Sequence, residues 1–466
     1  MHSSSAIPVR LVVVLVAGGI MPIIDTTIVA IGLPDIGVEL DADVAALQGV
    51  STAYLLSLAV VIPLVGWLQS RMGGRATWIL GSVVFLGSSL LCAVAGDIGQ
   101  LVAFRALQGV GAGILFPLMQ TLPMQQTERS ARARTMAIMS VPISLGPILG
   151  PVVGGIVLST LGWRWLFAIN LPFGLAALVL AIAWLRPGRE RVTRRRLDVV
   201  GTVLVAPGLV GLLLALSNLS AGEGFGALDV WAPGLAGLLL LAAFVVWTRR
   251  VAHPLIDLRL LRVPTVRSST AVMLLLGVNL YAATFVLPLA LQSVSVLTAS
   301  AAALLLVVQG VGSFLSRAVA GRLMDRCGPR AVAVAGFVVI ALTTVPFVLD
   351  DGSLPPWLLG IVLFVRGLGM GVVLIPVMTT GYLDIDQHRM PDASAFSRMA
   401  QQLGGAFGTA AIAILLAQAS AGWGTTTGFR VAFGGVVLVC VAAAMVSLLL
   451  PGDRMPGAQR PRQARP

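Results

Sequence analysis

A carboxylate lies deep inside an apolar run that is long enough to cross a membrane. The run covers about residues 11–33, and Asp25 is the only acid that we place inside any apolar run of this length. A charge at the middle of a bilayer costs about 2.5–3.5 kcal/mol on insertion scales, so such a residue is a functional candidate by default. The chemistry open to it is the uptake and release of a proton. We predict this coupling role for Asp25, and a solvated helix end is the simpler alternative.

Arg105 is the residue that could tune that carboxylate. It lies in a second apolar run, about residues 101–121, which must cross the membrane in the opposite direction. At about 1.5 Å per helical residue, both side chains fall in the outer half of the membrane, where a long side chain can bridge them. Pairing lowers the cost of both charges, and arginine keeps its charge at any working pH. We predict a functional pair, and a static structural ion pair is the alternative.

Polar, aromatic and methionine side chains recur at helical spacing in three of the apolar runs. In the run of Arg105 they share one face with it, and in two later runs they lie within the membrane. Linings of this kind adapt to ligands of varied shape. We predict that the substrate-binding residues are Gln108, Phe116, Met119, Asn279, Tyr281 and Gln309. Packing against lipid or against another helix is the alternative for each of them.

The apolar runs themselves predict membrane-spanning helices. Of the 466 residues, 57% are hydrophobic and 11% are charged, whereas an ordinary soluble domain is about 25% charged. A transmembrane helix needs about 20 mostly apolar residues. The sequence therefore predicts an all-α membrane protein with fourteen spans, although twelve spans and two amphipathic segments would also fit. The spans lie at about 11–33, 47–68, 77–95, 101–121, 135–159, 164–185, 199–218, 230–248, 268–292, 299–320, 331–349, 355–380, 394–417 and 428–450.

The arginines predict which ends of the spans face the cytoplasm. They cluster in alternate loops, most densely at 186–198, while the acids concentrate in the opposite loops. Basic loops face the cytoplasm, so we expect both termini to be cytoplasmic and the protein to lie in the plasma membrane. Because the basic residues form short clusters between apolar runs, the net charge of +12 does not indicate nucleic-acid binding. Three scattered cysteines and three scattered histidines predict no disulfide framework, metal site or cofactor.

Two ten-residue segments reveal an internal repeat. GWLQSRMGGR begins at Gly66 and GRLMDRCGPR begins at Gly321, and five positions match without a gap. A looser pair joins FRALQGVGAGILFPLMQT from Phe104 to VRGLGMGVVLIPVMTT from Val365. Parallel six-helix repeats are one of the known plans of transporters. We predict three parts: a six-helix bundle at 1–186, a linker with two extra spans at 187–267, and a second six-helix bundle with a cytoplasmic tail at 268–466.

Five motifs, in order along the chain, resemble those of the major facilitator superfamily and, within it, of the fourteen-helix drug:proton antiporter family. They are IDTTIVAIGLP from Ile24, the Gly66 segment, RALQGVGAG from Arg105, GPILGPVVGG from Gly146 and GWRWLFAINLPFG from Gly162. The resemblance covers nearly the whole chain and implies the major facilitator fold. It also implies a conformational role for Gly66, Arg71, Gly73, Arg75, Gly146, Pro147, Gly150, Pro151, Gly154, Gly155, Asp325 and Arg326.

One departure from the family pattern concerns the first copy of the repeated segment. The family usually has an acid where this chain has Ser70, whereas the second copy keeps Asp325. Acids and arginines of these segments could lock the two halves together on the cytoplasmic side. We therefore expect such a lock to depend on Asp325 and Arg326 more than on the first copy.

The resemblance implies a monomeric, proton-coupled antiporter that exports hydrophobic or amphiphilic drugs by alternating access. Its expected partners are a small-molecule substrate, protons and the lipid bilayer. ATP-driven export by this chain alone is excluded, because a sequence without lysine has no phosphate-binding loop of the common type. An exporter of one endogenous metabolite or antibiotic is the nearest alternative, and a nutrient:proton symporter is a weaker one because the Gly146 motif marks exporters. Short loops argue against a receptor, and the lack of clustered polar groups in the spans argues against an enzyme.

Overall fold

Helices account for every regular element that the computed structural model describes. The structure describes residues 9–126, 132–185, 198–220, 227–251, 254, 257–381, 384–385 and 390–452. Both chain ends lie outside these ranges, as does the predicted cytoplasmic loop at 186–198 apart from its last residue. The helices of the first half are α1 (Val9–Glu39), α2 (Val44–Val61), α3 (Val65–Ala93), α4 (Ile98–Gln126), α5 (Arg132–Leu161), α6 (Arg164–Ala168) and α7 (Asn170–Trp184).

The second half follows after a pair of additional helices. That pair is α8 (Val199–Ser220) and α9 (Leu228–Arg250). The second half then contains α10 (Pro264–Ser293), α11 (Ala299–Leu349), α12 (Pro356–Thr380), α13 (Met390–Trp423) and α14 (Thr425–Ser447). Short 3-10 turns occupy Ile62–Leu64 and Leu258–Arg262.

Eleven helical stretches of the described chain are long and apolar enough to cross a membrane. Two of them are more than twice the length of one span, since Val44–Ala93 has 50 residues and Ala299–Leu349 has 51. At about 1.5 Å per residue each is about 75 Å long, which leaves room for two crossings of a hydrocarbon core about 30 Å thick. The predicted all-α membrane architecture is confirmed, and the count of fourteen spans stays a prediction.

Both long stretches bend at the matching glycine of the repeat. Gly73 has φ 79° and ψ 159°, and Gly328 has φ 80° and ψ 158°. This backbone region is open to glycine and strained for a residue with a Cβ. The predicted spans leave a short connection around each position. In the structure a single glycine turns the chain there, and helix continues on both sides of it.

The helices extend further than the apolar runs that predicted them. α1 runs from Val9 to Glu39, whereas its apolar run covers only about residues 11–33. Hydropathy marks the part of a helix that lies in hydrocarbon and misses the turns that reach headgroups and water. Asp25 consequently lies at the centre of α1, and its position in the outer half of the membrane stays a prediction.

The two halves pack against each other through α2 with α13 and through α5 with α11. At the end predicted to face outside, Ile31 of α1 shares a buried cluster with Leu287 of α10. At that end Gln292 Nε2 donates a hydrogen bond of 3.2 Å to the carbonyl oxygen of Ile31. A Cβ built on Gly155 of α5 would lie 2.7 Å from the Cβ of Ala303 on α11. The halves are therefore closed against each other at this end.

The additional helices form a hairpin beside the two halves. α8 and α9 approach closely where Gly211 meets Gly237, with 3.3 Å between a Cβ built on Gly211 and the Cα of Gly237. α8 also packs against α2 and α13. The hairpin therefore covers one of the two seams along which the halves meet.

Candidate functional site

Asp25 is the centre of a buried polar cluster in the first half. Its carboxylate forms an ion pair with the Arg105 guanidinium, and both side chains are almost fully buried. Oδ1 accepts a hydrogen bond of 3.0 Å from Gln108 Nε2 and another of 3.0 Å from Asn170 Nδ2. The donors come from α4 and α7, so three helices converge on one carboxylate. Arg105 and Gln108 reach it together because residues three apart share a helix face.

Arg105 is held by more than its ion pair. Nε donates a hydrogen bond of 3.2 Å to the carbonyl oxygen of Val50 on α2. The guanidinium lies 4.2 Å from the centre of the Tyr54 ring and 5.8 Å from that of Phe167. Both rings make cation–π contacts with the guanidinium. Arg105 therefore keeps contacts with α2 and α6 that do not depend on the charge of Asp25.

Close helix packing brings α4 to this position. A Cβ on Gly111 would lie 2.5 Å from the backbone nitrogen of Phe85 on α3. A Cβ on Gly113 would lie 2.9 Å from the carbonyl oxygen of Leu58 on α2. Small residues allow helices in a membrane to approach in this way. The RALQGVGAG motif thus supplies both the arginine and the close approach that places it.

A small cavity lies between the two halves next to this cluster. Its volume is about 20 Å³, which is enough for a water molecule and too small for an organic substrate. Arg105 belongs to its wall. The other polar lining residues are Thr26, Ser51 and Tyr54 from the first half and Tyr281, Thr284 and Thr409 from the second. Arg105, which pairs with Asp25, therefore also lines the space between the halves.

The six predicted substrate-binding residues fall into separate environments. Tyr281 lines the cavity. Phe116 is half-buried, and its ring centre lies 5.1 Å from the guanidinium carbon of Arg398 in the other half. Gln108 belongs to the Asp25 cluster. Met119 is buried against α1, so close to Gly19 that a Cβ built on this glycine would overlap the methionine side chain.

The remaining two predicted residues lie inside the second half. Asn279 is fully buried and donates a hydrogen bond of 2.7 Å to Cys440 Sγ. Gln309 accepts a hydrogen bond of 3.0 Å from Arg366 Nη1. The structure thus brings Tyr281 and Phe116 to the space between the halves, and it places the other four in contacts within one half. Substrate binding by these residues stays a prediction.

The repeated segments lie at the end of the molecule predicted to be cytoplasmic. Gly66 is open on its side-chain face, and Arg71 lies 5.8 Å from the Trp67 ring centre. Arg75 Nη2 donates a hydrogen bond of 2.7 Å to the carbonyl oxygen of Ile182. Ser70 Oγ donates to the Trp67 carbonyl within its own helix, over 2.8 Å.

The acid of the second copy makes no ion pair with the first half in this conformation. Asp325 and Arg326 are both exposed. Neither residue belongs to the ion pairs found between described residues, which join Asp25 to Arg105 and Glu39 to Arg164. The predicted lock is therefore not closed in this state, and its role in another state stays a prediction.

The Gly146 motif connects α1 to the other half. A Cβ built on Gly146, Gly150 or Gly154 would meet α1 at Ile23, Thr27 or Ile28 respectively, which are the turns around Asp25. Gly155 instead faces α11 of the second half.

The prolines of this motif lie on the same helix. Pro151 is buried, whereas the side chain of Pro147 lies outside the described set. Helix α5 therefore touches both α1 and the opposite half.

Sequence reasoning missed several polar residues of the spans. Asn170 and Ser89 complete the Asp25 cluster, in which Gln108 Nε2 also donates 2.8 Å to Ser89 Oγ. Asn170 stands in the AINLPFG part of a recognised motif, which was the available signal. Three arginines of the second half were also missed, at 317, 366 and 398. The signal for Arg366 was its place in the looser repeat, where it corresponds to Arg105.

A family comparison identifies the architecture. The model described as Major Facilitator Superfamily matches residues 15–409 and, in a second match, residues 273–466. The first match alone covers more than half of the chain. The chain belongs to the major facilitator superfamily. It is therefore a multi-pass membrane transport protein that takes a small-molecule substrate, and it is not an enzyme.

Individual relatives of this facilitator agree with the assignment. A multidrug resistance protein B homolog of Mycobacterium tuberculosis is 33% identical over 406 residues, which are 86% of this chain and 75% of the relative. Lincomycin resistance protein LmrB of Listeria innocua is 28% identical over 414 residues, 88% of this chain and 87% of the relative. The crystal structure of a D-xylose-proton symporter superposes with a TM-score of 0.68 and 16% identity, covering 96% of this chain and 99% of that one. That likeness establishes the fold.

Proposed function

We propose that this facilitator is a proton-coupled antiporter that exports hydrophobic or amphiphilic compounds by alternating access. One observation carries the proposal: the arginine that pairs with the buried Asp25 carboxylate also lines the cavity between the halves. A change of charge at Asp25 can therefore reach the space through which a substrate passes. The resistance names of two relatives support export as the direction.

The coupling follows from what each residue can do when a proton arrives. Protonation removes the charge of Asp25 and weakens its hold on Arg105, since hydrogen bonds between charged groups are the stronger ones. Arg105 keeps its charge and its contacts with Val50 and Tyr54 on α2. The cavity wall thus changes when the carboxylate is neutral, and proton binding opposes substrate binding. Uptake of a proton from outside releases the substrate there, and loss of the proton to the cytoplasm restores the substrate site.

Helix α5 is the element to which we assign the transmission of this change. Its glycines at 146, 150 and 154 face the turns of α1 around Asp25, and Gly155 faces α11. A shift of α1 therefore displaces α5, and α5 also contacts the other half. Smooth glycine surfaces allow helices to slide and rock at close range.

The orientation, location and oligomeric state belong to the same proposal. Arginine-rich alternate loops support cytoplasmic termini in the plasma membrane. The cavity and the Asp25 cluster are both built from a single chain. One copy therefore contains every group that the mechanism uses, which supports a working monomer.

The test is substrate-induced proton movement in proteoliposomes that contain wild type or Asp25→Asn at matched protein levels. Asp25→Asn removes the titratable group with little change in size. We expect it to abolish uphill export driven by an imposed pH gradient while substrate binding and downhill exchange persist. The hydrogen bonds of Asn170 and Gln108 to position 25 can still form, so folded yield serves as the control. Proton movement that persists in Asp25→Asn would place the coupling group elsewhere.

A further inference from the structure

A groove opens on the surface of the second half, at the end predicted to face the cytoplasm. It lies between α11, just after the bend at Gly328, and the turn that follows α14. Its volume is about 470 Å³, and sites for organic ligands usually have about 300–1,000 Å³. It shares no described lining residue with the cavity between the halves. Five apolar side chains form its wall: Ala331, Val334, Ala335, Val338 and Leu448.

The apolar wall of the groove follows one face of α11. Ala331, Ala335 and Val338 are four and three residues apart, so they share a helix face. All three are exposed, although they belong to a candidate membrane span. From Arg330 to Val338 the helix rises about 12 Å, which is most of the hydrocarbon depth of one leaflet, about 15 Å. An apolar chain in the groove therefore runs as the acyl chains of the cytoplasmic leaflet do.

Arg330 forms the polar end of the groove. Its Nε donates a hydrogen bond of 2.8 Å to the carbonyl oxygen of Leu450, just beyond α14. Neither Nη1 nor Nη2 has an acceptor among the residues that the structure describes. Gly452 leaves the guanidinium open on one side, since a Cβ built on this glycine would lie 3.2 Å from Nη1. The guanidinium is therefore anchored by one nitrogen and has two further nitrogens available to a ligand.

The matching arginine of the first half makes a different contact. Arg75 corresponds to Arg330 in the repeat, and its Nη2 donates a hydrogen bond of 2.7 Å to the carbonyl oxygen of Ile182 on α7. Both arginines thus bond to a carbonyl near the end of the last helix of their half. Arg75 uses the outer end of its guanidinium for this bond, whereas Arg330 uses Nε. The second copy is therefore the one that keeps both outer nitrogens for another group.

The charges around the groove favour an anion. The segment 321–338 contains three arginines, at 322, 326 and 330, and one acid, Asp325. All four side chains are exposed. The bend at Gly328 also starts a new helical limb, whose positive end lies at Arg330. Each arginine at the cytoplasmic surface contributes about 1 kcal/mol to the attraction of anionic lipids.

We propose that the groove binds an anionic phospholipid of the cytoplasmic leaflet. The headgroup phosphate accepts hydrogen bonds from Nη1 and Nη2 of Arg330, and one acyl chain lies along α11 from Ala331 to Val338. A free phosphate ester would leave the apolar wall unfilled, and a neutral apolar molecule would leave the two donors unpaired. The groove faces the bilayer and not the space between the halves, so its occupant is a lipid and not the transported substrate. The inference is independent of the proposed export function.

Cys327 provides the measurement, because it lines the groove and is exposed, whereas Cys92 and Cys440 are buried. The rate of maleimide alkylation at Cys327 is followed by mass spectrometry on the purified protein. The detergent micelles contain increasing fractions of dioleoyl phosphatidylglycerol or of dioleoyl phosphatidylcholine. We expect phosphatidylglycerol to slow alkylation in a saturable way, at lower fractions than phosphatidylcholine. Arg330→Gln should raise the fraction needed for half-maximal protection by about tenfold or more, the loss expected for one charge-assisted hydrogen bond.

Two further variants separate the site from general effects. Arg249→Gln removes an exposed arginine from the end of α9 that is predicted to be cytoplasmic, and it should leave the protection unchanged. Ala335→Phe keeps Arg330 and fills the groove with a ring, so it should also weaken protection by phosphatidylglycerol. It tests the site even if Arg330→Gln fails to fold.

Four outcomes would overturn the inference. The first is that phosphatidylglycerol gives no protection, and the second is that phosphatidylcholine protects equally well. The third is that water-soluble glycerol 3-phosphate protects as well as the lipid, which would indicate a site for free anions. The fourth is that Arg249→Gln and Arg330→Gln behave alike, which would mean that the charge of the whole surface, and not the groove, attracts the lipid.

Discussion

The two halves of this facilitator each bury an arginine at the same place in the repeat, and they treat it differently. Arg105 faces a carboxylate that can gain or lose a proton, together with two amide donors to that carboxylate. Arg366 faces a glutamine, a threonine and a methionine, none of which titrates. The same helical plan therefore holds a switchable pair in one half and a fixed positive charge in the other. The repeat therefore places two buried arginines in different electrostatic surroundings.

The largest expected effect comes from removing the arginine of the switchable pair. Arg105→Ala leaves the Asp25 carboxylate buried without its cation, and breaking a buried pair in this way costs about 3–5 kcal/mol. We expect loss of transport and a clear drop in thermal stability of the purified protein in detergent. Size-exclusion chromatography after a temperature series measures the drop.

The double variant Asp25→Asn with Arg105→Ala sharpens this prediction. It removes both charges, so it should recover much of the stability while transport stays absent. An Arg105→Ala protein as stable as wild type would mean that the pair is not held in a dry site. Full transport by the double variant would show that neither half of the pair couples protons.

A smaller effect is expected from giving the second half the acid that it lacks. Asn279→Asp places a carboxylate near the middle of α10, the first helix of the second half, beside Cys440. A charge-assisted contact of this kind contributes about 1.5–3 kcal/mol. We expect a higher melting temperature, because the new carboxylate offers the buried Arg366 a counter-charge.

A double-mutant cycle decides whether the gain comes from Arg366. In an Arg366→Gln background, Asn279→Asp should no longer raise the melting temperature. An equal rise in both backgrounds would mean that the new carboxylate acts through another group, and the parallel between the halves would fail at this position.

The smallest effect concerns the repeated segments. Asp325→Asn should slow transport by about fivefold or less, because an exposed ion pair formed in another state contributes only about 0.2–1 kcal/mol. Ser70→Ala should have almost no effect, since Ser70 Oγ only bonds the Trp67 carbonyl within its own helix. Initial transport rates at matched expression measure both. Equal losses would contradict the asymmetry between the two copies.

The ion pair was predictable from sequence, and its surroundings were only partly so. Asp25 and Arg105 are charged residues in otherwise apolar runs. Their similar predicted depths in the membrane were therefore enough to predict that they pair. Asn170 and Ser89 are neutral, and neutral polar residues are common enough in spans that no depth argument selects them. Gln108 was found by helical spacing, but spacing cannot tell whether a face meets the cavity or the carboxylate.

The arginines of the second half were visible in the sequence and were not interpreted. Their meaning depends on what faces them, which is a property of packing between helices distant along the chain. Arg398 contacts Phe116 in the other half, and no local sequence pattern predicts a contact between residues so far apart along the chain. The bend at Gly73 was likewise not predictable, because a glycine in a basic segment is interpreted as part of a loop until its φ is known.

The separation of Asp25 from Arg105 along the chain, 80 residues, has a consequence for biogenesis. At about 5–20 residues per second, the ribosome makes Arg105 about 4–16 seconds after Asp25. During that interval α1 is already available for insertion, and its carboxylate has no arginine to pair with. The apolar residues of α1 alone must therefore carry the acid into the bilayer or hold it at the insertion machinery. Until α4 has been synthesised, α1 is therefore a biosynthetic intermediate whose buried carboxylate lacks its ion-pair partner.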